Sequence, residues 1–486
     1  MFEVMVIGGG PAGVTAALRA RELGATVALV ERGRMGGVCT YDGCAPTRVL
    51  AKAARLVRDA EQWGEYGLGP QQPSVDWPAL LTRTQQTIYR LQEKKQLLTH
   101  LAQAGVTVFA EAGDVQFADA HTIIRPDGGT LTAEKFIICV GGQARRLSFP
   151  GSEHTLTHSD VWQMPQAPRS VVVVGAAATG CQLASIFQAF GARVTLLDVA
   201  PRLLPAEDET TAETMRAAFE ERGLQIITGL QTLERIEKHE TTLDLYYQKA
   251  DQTHTLTAEA VILAVGWVGN VAGLNLAAAG VKVERGYVVV DDYLQTTAPH
   301  ILAAGDVTGR MMLVQSAGHE ARIAAENAVL GARQMFQHHI TPHGGFTDPE
   351  YSGVGLTESE ARREQECVVA VTPYADLDRA VIDGHPEGFC KLIASRASRR
   401  ILGAHVVGEQ AVEIVQLVAA GMAAEMRVEQ LADLELAYPT FTGILGLAAR
   451  QLARELRAVP LAPQWESLPR QGQRAAEWEQ SANSRP

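Results

Sequence analysis

The hydrophobic pattern begins at once. An apolar run over residues 5–7 stops at Gly8, Gly9 and Gly10, and small and apolar residues at helical spacing follow. A second apolar run, 27–30, ends in Glu31. That order predicts strand, tight turn, helix and strand. It returns over 171–198, VVVVGAAATGCQLASIFQAFGARVTLLD, which ends in Asp198. Two further apolar runs end in glycine, FIICVGG (136–142) and VILAVGW (261–267). TTAPHILAAGDVTG (296–309) predicts another buried strand, with Asp306 after it, and MMLVQSAGHEARIAAENAVLG predicts a helix whose N-terminal amides could face an electron-rich ring edge. From about Gly344 the pattern changes. YSGVGLTESEA, CVVAVTPYA and GFCKLIASRASRRILGAHVVG predict strands and turns of an antiparallel sheet. Two long helical stretches follow, one of them after AYPTFTG. Beyond about Arg457 the residues are rich in Pro, Gln, Arg and Glu and predict a loosely held tail, with Trp465 and Trp478 as the residues that could anchor it.

The length of 486 residues is too great for one core and predicts several domains. A net charge of -12 argues against nucleic acid or an anionic membrane as partner. The best candidate for a membrane span, AVEIVQLVAAGMAAEM, is interrupted by Glu413 and Gln416. The chain runs straight into a strand without a basic leader, which predicts a cytoplasmic protein. Six cysteines are too few for a disulfide scaffold, so a close pair in a reducing compartment points to redox catalysis or metal binding.

The first fingerprint is strong because it has its context. Gly8, Gly10 and Gly13 allow a tight turn and close approach to a pyrophosphate at a helix N-terminus, and Glu31 suits ribose hydroxyls. The second is weaker. Gly175 and Gly180 remain, but Ala177 holds the middle position, so a structural unit that has lost its ligand is the alternative. The C-x4-C pair Cys39 and Cys44 lies in GGVCTYDGCAPTR, with Pro46 suited to the first turn of a helix that follows. A helix N-terminus at Cys44 favours thiolate there. The alternatives are two unlinked buried cysteines or a zinc site, although no second Cys/His pair has matching spacing. Cys139, Cys181, Cys367 and Cys390 fall in strand or helix patterns and read as core residues.

In this order, the FAD fingerprint, CTYDGC, the second nucleotide unit, AAGD and the C-terminal sheet resemble the FAD-dependent pyridine nucleotide-disulfide oxidoreductases, to about residue 456. The resemblance implies an α/β fold: two Rossmann-like dinucleotide-binding domains, for FAD and NAD, plus a C-terminal α+β dimerisation domain with an antiparallel sheet. The implied boundaries are 1–147 and 273–343 for the FAD domain, 148–272 for the NAD(P) domain, 344–456 for the interface domain and 457–486 for the tail. It also implies a homodimer. Cys39 would be the interchange thiol that meets substrate, and Cys44 the charge-transfer thiol beside the flavin. Gly8, Gly10, Pro11, Ala12, Gly13, Glu31, Arg32, Gly37, Val38, Arg48, Gly141, Gly305, Asp306, Leu313, Val314 and Gln315 are the implied FAD residues. Gly175, Ala177, Gly180, Gln182, Asp198 and Gly266 are the implied NAD residues, and no metal site is expected. Asp198, followed by Val199 and Ala200 with Arg202 as the nearby cation, predicts NADH over NADPH.

Three positions depart from the family. Disulfide-reducing members carry a His-Pro-Thr near the C-terminus, with a Glu that holds the histidine. Here LAYPTFTG puts Tyr438 and Gly443 at those places. An unperturbed phenol titrates near 10 and is a poor base at neutral pH. A Lys–Glu pair near the flavin is replaced by Arg48 and Gln182, which predicts an unneutralised cation beside the ring. Ala178 stands where a bulkier gate often covers the nicotinamide pocket and predicts an open pocket. The resulting expectation is an NADH-dependent FAD enzyme passing electrons to Cys39–Cys44 and then to an acceptor, by default a dihydrolipoamide-type or other small disulfide. A reductase of a metal ion, quinone or nucleotide is the alternative. A flavin-bound redox sensor with little turnover is the alternative of another class.

Overall fold

The computed structural model describes residues 1–69, 73–331, 334–336, 340–467 and 476–480. The first apolar run forms β1 (Phe2–Ile7), with Val4 to Ile7 buried. The chain turns at the glycines into α1 (Pro11–Glu22) and returns as β2 (Val27–Val30), parallel to β1 with Val4 opposite Val27. Thr130–Ile138 pairs parallel with the other edge of β1. Ile301–Ala303 then comes back from late in the chain and pairs parallel with that strand, Ile301 opposite Phe136. This return places Gly305 and Asp306 at the same end of the sheet as the turn that opens α1.

Two short helices follow β2: α2 (Gly37–Tyr41) and the longer α3 (Cys44–Asp59). α4 (Trp77–Lys95) packs against α3 and ends at Gln96, where φ is 40°. The second nucleotide unit repeats the first. β3 (Ser170–Val174), α5 (Ala178–Ala189) and β4 (Arg193–Asp198) sit in a four-stranded parallel sheet with Ala260–Leu263 and Gln225–Thr228 at its edges.

The C-terminal sheet is antiparallel, in the order His343–Gly345, Tyr351–Gly355, Ile401–Val407, Phe389–Ser395, Cys367–Pro373. The TESEA segment departs from the strand expectation. It is a helix, Glu358–Glu364, opened by a capping box of Thr357 and Glu360. α6 (Val314–Leu330) packs on α1, and α7 (Gly443–Glu455) lies over the C-terminal sheet. Cys139, Cys181, Cys367 and Cys390 are buried, as their pattern predicts. Lys391 ties this sheet to the second nucleotide unit. Its Nζ lies 2.8 Å from Asp208 Oδ1 and 2.6 Å from Glu358 Oε2, with Lys391 and Asp208 both buried.

The tail expectation is corrected in part. Residues 476–480 dock back on α7. The buried Glu477 carboxylate accepts from Arg450 Nε at 2.8 Å and pairs with Arg454, and the Trp478 ring lies 5.3 Å from that of Tyr438. A carboxylate shared by two guanidinium groups holds this segment more firmly than its composition suggests. No helix among the described residues is long and apolar enough to cross a membrane.

Candidate functional site

Glycine does two different jobs in the first fingerprint. At Gly8, φ is +110° and a Cβ would sit 2.3 Å from the Cys139 carbonyl oxygen; at Gly13 it would sit 1.7 Å from that of Gly8. Both therefore serve backbone packing. Gly10 is different, since a Cβ there would meet only the Cα of Gly37, at 3.7 Å. Its missing side chain leaves the mouth of α1 open, and that N-terminus has no side-chain cap. Uncapped amide groups at the end of a twelve-residue helix suit a pyrophosphate. The Glu31 carboxylate accepts from Gly9 N at 2.6 Å and Gly33 N at 2.8 Å, which fixes the strand end beside the turn. Asp306 faces the same region, its carboxyl raised by burial and drawn back by its own amide. An open glycine mouth, an acidic strand end and a half-buried carboxyl together fit a flavin dinucleotide.

Around this mouth the expected residues have definite tasks. Gly37, at φ +63°, passes so near Gly10 that a Cβ would stand 2.8 Å from its Cα. The Val38 carbonyl accepts from Gly43 N at 2.7 Å and closes the loop between the cysteines. Pro11 and Ala12 form the first turn of α1. The Gly141 carbonyl accepts from Asn270 N at 3.0 Å, and Gly305 N donates to Glu320 Oε2 at 2.6 Å. Leu313 caps α6, Val314 begins it, and Gln315 donates to the Pro342 carbonyl at 2.9 Å. Arg32 is exposed and lies 3.8 Å from Asp114.

The second fingerprint is cast in the same mould. Gly175 has φ +106° and would place a Cβ 2.3 Å from the Ala264 carbonyl oxygen; Gly180 would place one 1.7 Å from that of Gly175. Asp198 accepts from Ala176 N at 2.5 Å and Ala200 N at 2.7 Å, the same two backbone offsets that Glu31 uses. Ala177 (φ −86°, ψ −171°) has the backbone of Gly10 (φ −75°, ψ −174°). These angles suit any residue, so the alanine strains nothing and only narrows the approach to the helix. Gly175, Ala177, Asp198 and Gly266 line one cavity of about 550 Å³. Gly180 packs beneath it. Gln182 turns elsewhere: its Oε1 accepts from Phe346 N at 3.2 Å. Ala177 and Ala178 are both exposed, in keeping with an open pocket.

Cys39 lies in α2 and Cys44 begins α3, with their side chains in hydrogen-bonding contact. The Cys39 thiol is drawn down to about 7 by the hydrogen bond from Cys44 and by the charge of Lys95, against burial and Asp306. The Cys44 thiol is pushed up by its hydrogen bond with Cys39 and by desolvation of its sulfur. The amide at Cys44 favours its thiolate, as a helix N-terminus should, while the hydrogen bond between the two thiols couples their titrations.

The expected unneutralised cation is also corrected. Arg48 stacks over Phe346, 3.9 Å from the ring centroid, and its Nη2 lies 4.0 Å from Glu350 Oε1. Glu350 therefore offers Arg48 the carboxyl that Gln182 lacks, a negative charge only where the pH is high enough to ionise it. Burial raises its carboxyl to about 7 despite Arg48. No spacing near Arg48 marks Glu350, which joins the site only through the C-terminal sheet. Tyr438 is exposed and donates its hydroxyl to Asp378 Oδ2 at 2.8 Å. Asp378, Glu350, Phe346 and Lys95 are the residues that sequence reasoning missed. Among the described residues, no cluster of three His, Cys, Asp or Glu side chains is placed to hold a metal ion.

Comparison with known proteins bears on the whole chain. Residues 2–321 match the family described as pyridine nucleotide-disulphide oxidoreductase, and residues 341–449 match its dimerisation domain. A dihydrolipoyl dehydrogenase of Zymomonas mobilis is 31% identical over 91% of this chain and 96% of its own. A mercuric reductase of Bacillus cereus is 30% identical over 92% of this chain and 71% of its own. The HOCl-induced flavoprotein disulfide reductase RclA from Escherichia coli superposes with a TM-score of 0.82 at 26% identity, covering 92% of this chain and 99% of RclA. A Cu(II) complex of RclA superposes with a TM-score of 0.81 at 27% identity, over the same shares of the two chains.

Proposed function

This chain belongs to the pyridine nucleotide-disulphide oxidoreductase family and is an FAD-dependent NAD(P)H oxidoreductase with a dimerisation domain, and we propose that its acceptor is a thiophilic metal ion reduced at Cys39 and Cys44. FAD, when bound, supplies the two-electron relay between nicotinamide and the cysteine pair. The residues at the mouth of α1, with Glu31 and Asp306, hold it. Asp198 orients the nicotinamide nucleotide through its ribose, and Gly175, Ala177 and Gly266 shape the pocket around it.

The observation that carries the choice of acceptor is Tyr438. A phenol engaged to Asp378 stands where disulfide-reducing relatives place an imidazole, while both cysteines are retained. Disulfide exchange needs protons managed at the departing sulfur. A metal ion needs only two soft thiolate ligands, and thiolates select such ions. Mercuric reductase relatives and the Cu(II) complex of RclA support this class.

A second reading, a small disulfide as acceptor, is favoured by the Cys39 thiol itself. Drawn down to about 7, it is a nucleophile at neutral pH without an adjacent base. An acceptor panel tests the choice. NADH oxidation is followed with Cu(II), Hg(II), lipoamide, glutathione disulfide and a quinone. Metal-dependent turnover that is lost in Cys39→Ser supports the first reading. Fast lipoamide or glutathione disulfide reduction with inert metals overturns it in favour of the second.

A further inference from the structure

Residues 199–208 leave the strand end at Asp198 and run from the second nucleotide mouth to the C-terminal sheet. They are fixed at both ends. At the mouth, Val199 lines the cavity and Ala200 N donates to Asp198 Oδ1 at 2.7 Å. Leu204 N donates to the Ala176 carbonyl at 2.8 Å, and Ala176 N donates to Asp198 Oδ2. At the far end, Glu207 Oε2 lies 3.1 Å from His343 Nε2, and Asp208 Oδ1 accepts from Lys391 Nζ at 2.8 Å. Lys391 Nζ also meets Glu358 Oε2 at 2.6 Å and Thr210 Oγ1 at 3.0 Å, so all three of its N–H groups have partners. His343 and Lys391 both stand on strands of the C-terminal sheet.

The stretch between these anchors is held taut. Arg202 Nη2 donates to the carbonyls of Pro205 and Glu207, and Glu207 N donates to that of Leu204 at 2.9 Å. Leu204 is buried at φ +45°, a region that favours glycine. A branched residue keeps such a backbone only where its surroundings impose it. A buried ion pair is by itself weak evidence of anything beyond a tie between domains, since apolar packing joins surfaces as firmly. Arg58 is such a tie. It is buried, with Nη1 3.1 Å from Asp348 Oδ2, and its Nη2 donates to the Ser185 carbonyl at 2.7 Å, about two turns into α5. Lys391 differs because its carboxylate partner ends the segment that begins beside Asp198.

We propose that Lys391 and His343 are positioning residues for the nicotinamide nucleotide: from the C-terminal sheet they hold residues 199–208 in the arrangement that sets Asp198 and Val199 against the nucleotide's ribose. This rests on the reading of the Asp198 cavity as the nucleotide pocket. The domain that pairs two subunits thereby builds part of the wall of that pocket.

The test is steady-state NADH oxidation by the FAD-loaded enzyme with dichlorophenolindophenol, a dye chosen so that neither the metal nor the disulfide reading of the acceptor enters. Wild type, Lys391→Met, His343→Phe, Arg58→Met and Asp198→Asn are compared, each with its FAD content and Tm. Coupling between two sites is typically at least about fivefold in affinity. Lys391→Met should therefore raise KM for NADH at least about fivefold with kcat within about twofold, the mark of lost ground-state binding. His343→Phe should move KM the same way by a smaller factor, and FAD content should be that of wild type in both. Arg58→Met should lower Tm and leave KM for NADH unchanged. Loss of Lys391 strands Asp208 and Glu358 without their cation, so His343→Phe carries the test if Lys391→Met does not fold. A wild-type KM in the folded variants, or an equal rise in Arg58→Met, overturns the proposal. If Asp198→Asn keeps the wild-type KM for both NADH and NADPH, the pocket reading fails and the proposal with it. A shifted Asp198→Asn beside unshifted Lys391→Met and His343→Phe defeats the anchors alone.

Discussion

Tyr438 donates its hydroxyl to the Asp378 carboxylate across 2.8 Å, and that bond raises the phenol's pKa above its ordinary value. The phenol therefore stays protonated throughout the neutral range. Wild-type turnover should show no ionisation attributable to position 438 between pH 6 and 9, and Tyr438→Phe should keep the wild-type rate within about twofold. Tyr438→His puts an imidazole within reach of Asp378. A Glu at Gly443 is accommodated, because a Cβ there meets only Leu377 Cδ1 at 3.5 Å. A general acid–base group contributes about 10²- to 10⁴-fold. The Tyr438→His, Gly443→Glu variant should therefore gain at least about tenfold in lipoamide or glutathione disulfide reduction. No gain in steady-state assays would show that the missing dyad is not what limits this chemistry.

Nucleotide choice follows from Asp198. Its carboxylate is fixed by two backbone amides at the strand end, where it meets ribose hydroxyls and repels a 2′-phosphate. Arg202, the nearby cation, directs its Nη2 to the carbonyls of Pro205 and Glu207. NADH should be preferred to NADPH by at least about tenfold in kcat/KM, each decade being about 1.4 kcal/mol of transition-state binding. Asp198→Asn should narrow the preference. Comparable kcat/KM values for both nucleotides in the wild type would contradict this.

Ala177 offers a gain-of-binding test. Its backbone already matches that of Gly10, so Ala177→Gly changes only the space before the helix mouth. KM for NADH should fall about two- to fivefold with kcat nearly unchanged, a ground-state effect. An unchanged KM would mean that the alanine methyl does not limit nucleotide approach.

Glu350 gives a pH signature in stability. Burial raises its folded pKa to about 7, above its ordinary value. Between the two values the native state keeps a proton that the unfolded chain has released. Stability from this group therefore falls as pH rises through that window and is level above it. Glu320, also raised to about 7 by burial, acts in the same direction. Glu350→Gln should make Tm decline less steeply between pH 5 and 7 than in wild type, as scanning calorimetry would show. An unaltered slope would mean that Glu350 is not protonated in that window.

The sequence makes legible those features that local spacing controls. Both nucleotide mouths, their acidic strand ends and the cysteine loop follow from glycine geometry and short-range patterns, and the structure builds them where the motifs stand. What it hides is long-range. Glu350 reaches Arg48 only because the C-terminal sheet packs beside α3, and Lys95 reaches Thr40 only because α4 lies along the cysteine helix. Neither residue belongs to a motif. The tail misleads for a related reason: Glu477 sits in a polar segment, and its hold on Arg450 and Arg454 appears only once α7 presents both guanidinium groups on one face. The helix at Glu358–Glu364 is a local misreading, since Thr357 and Glu360 already spell a capping box.

Visible absorption spectra of the purified holoenzyme measure the division of labour between Cys39 and Cys44 most directly. Wild type reduced by NADH should develop a long-wavelength thiolate-to-flavin band. Cys39→Ser should show that band without reductant, and Cys44→Ser should lack it under all conditions. Two variants with the same spectrum, or a wild type in which NADH changes only the flavin and produces no band, would contradict the central claim that electrons pass through this cysteine pair.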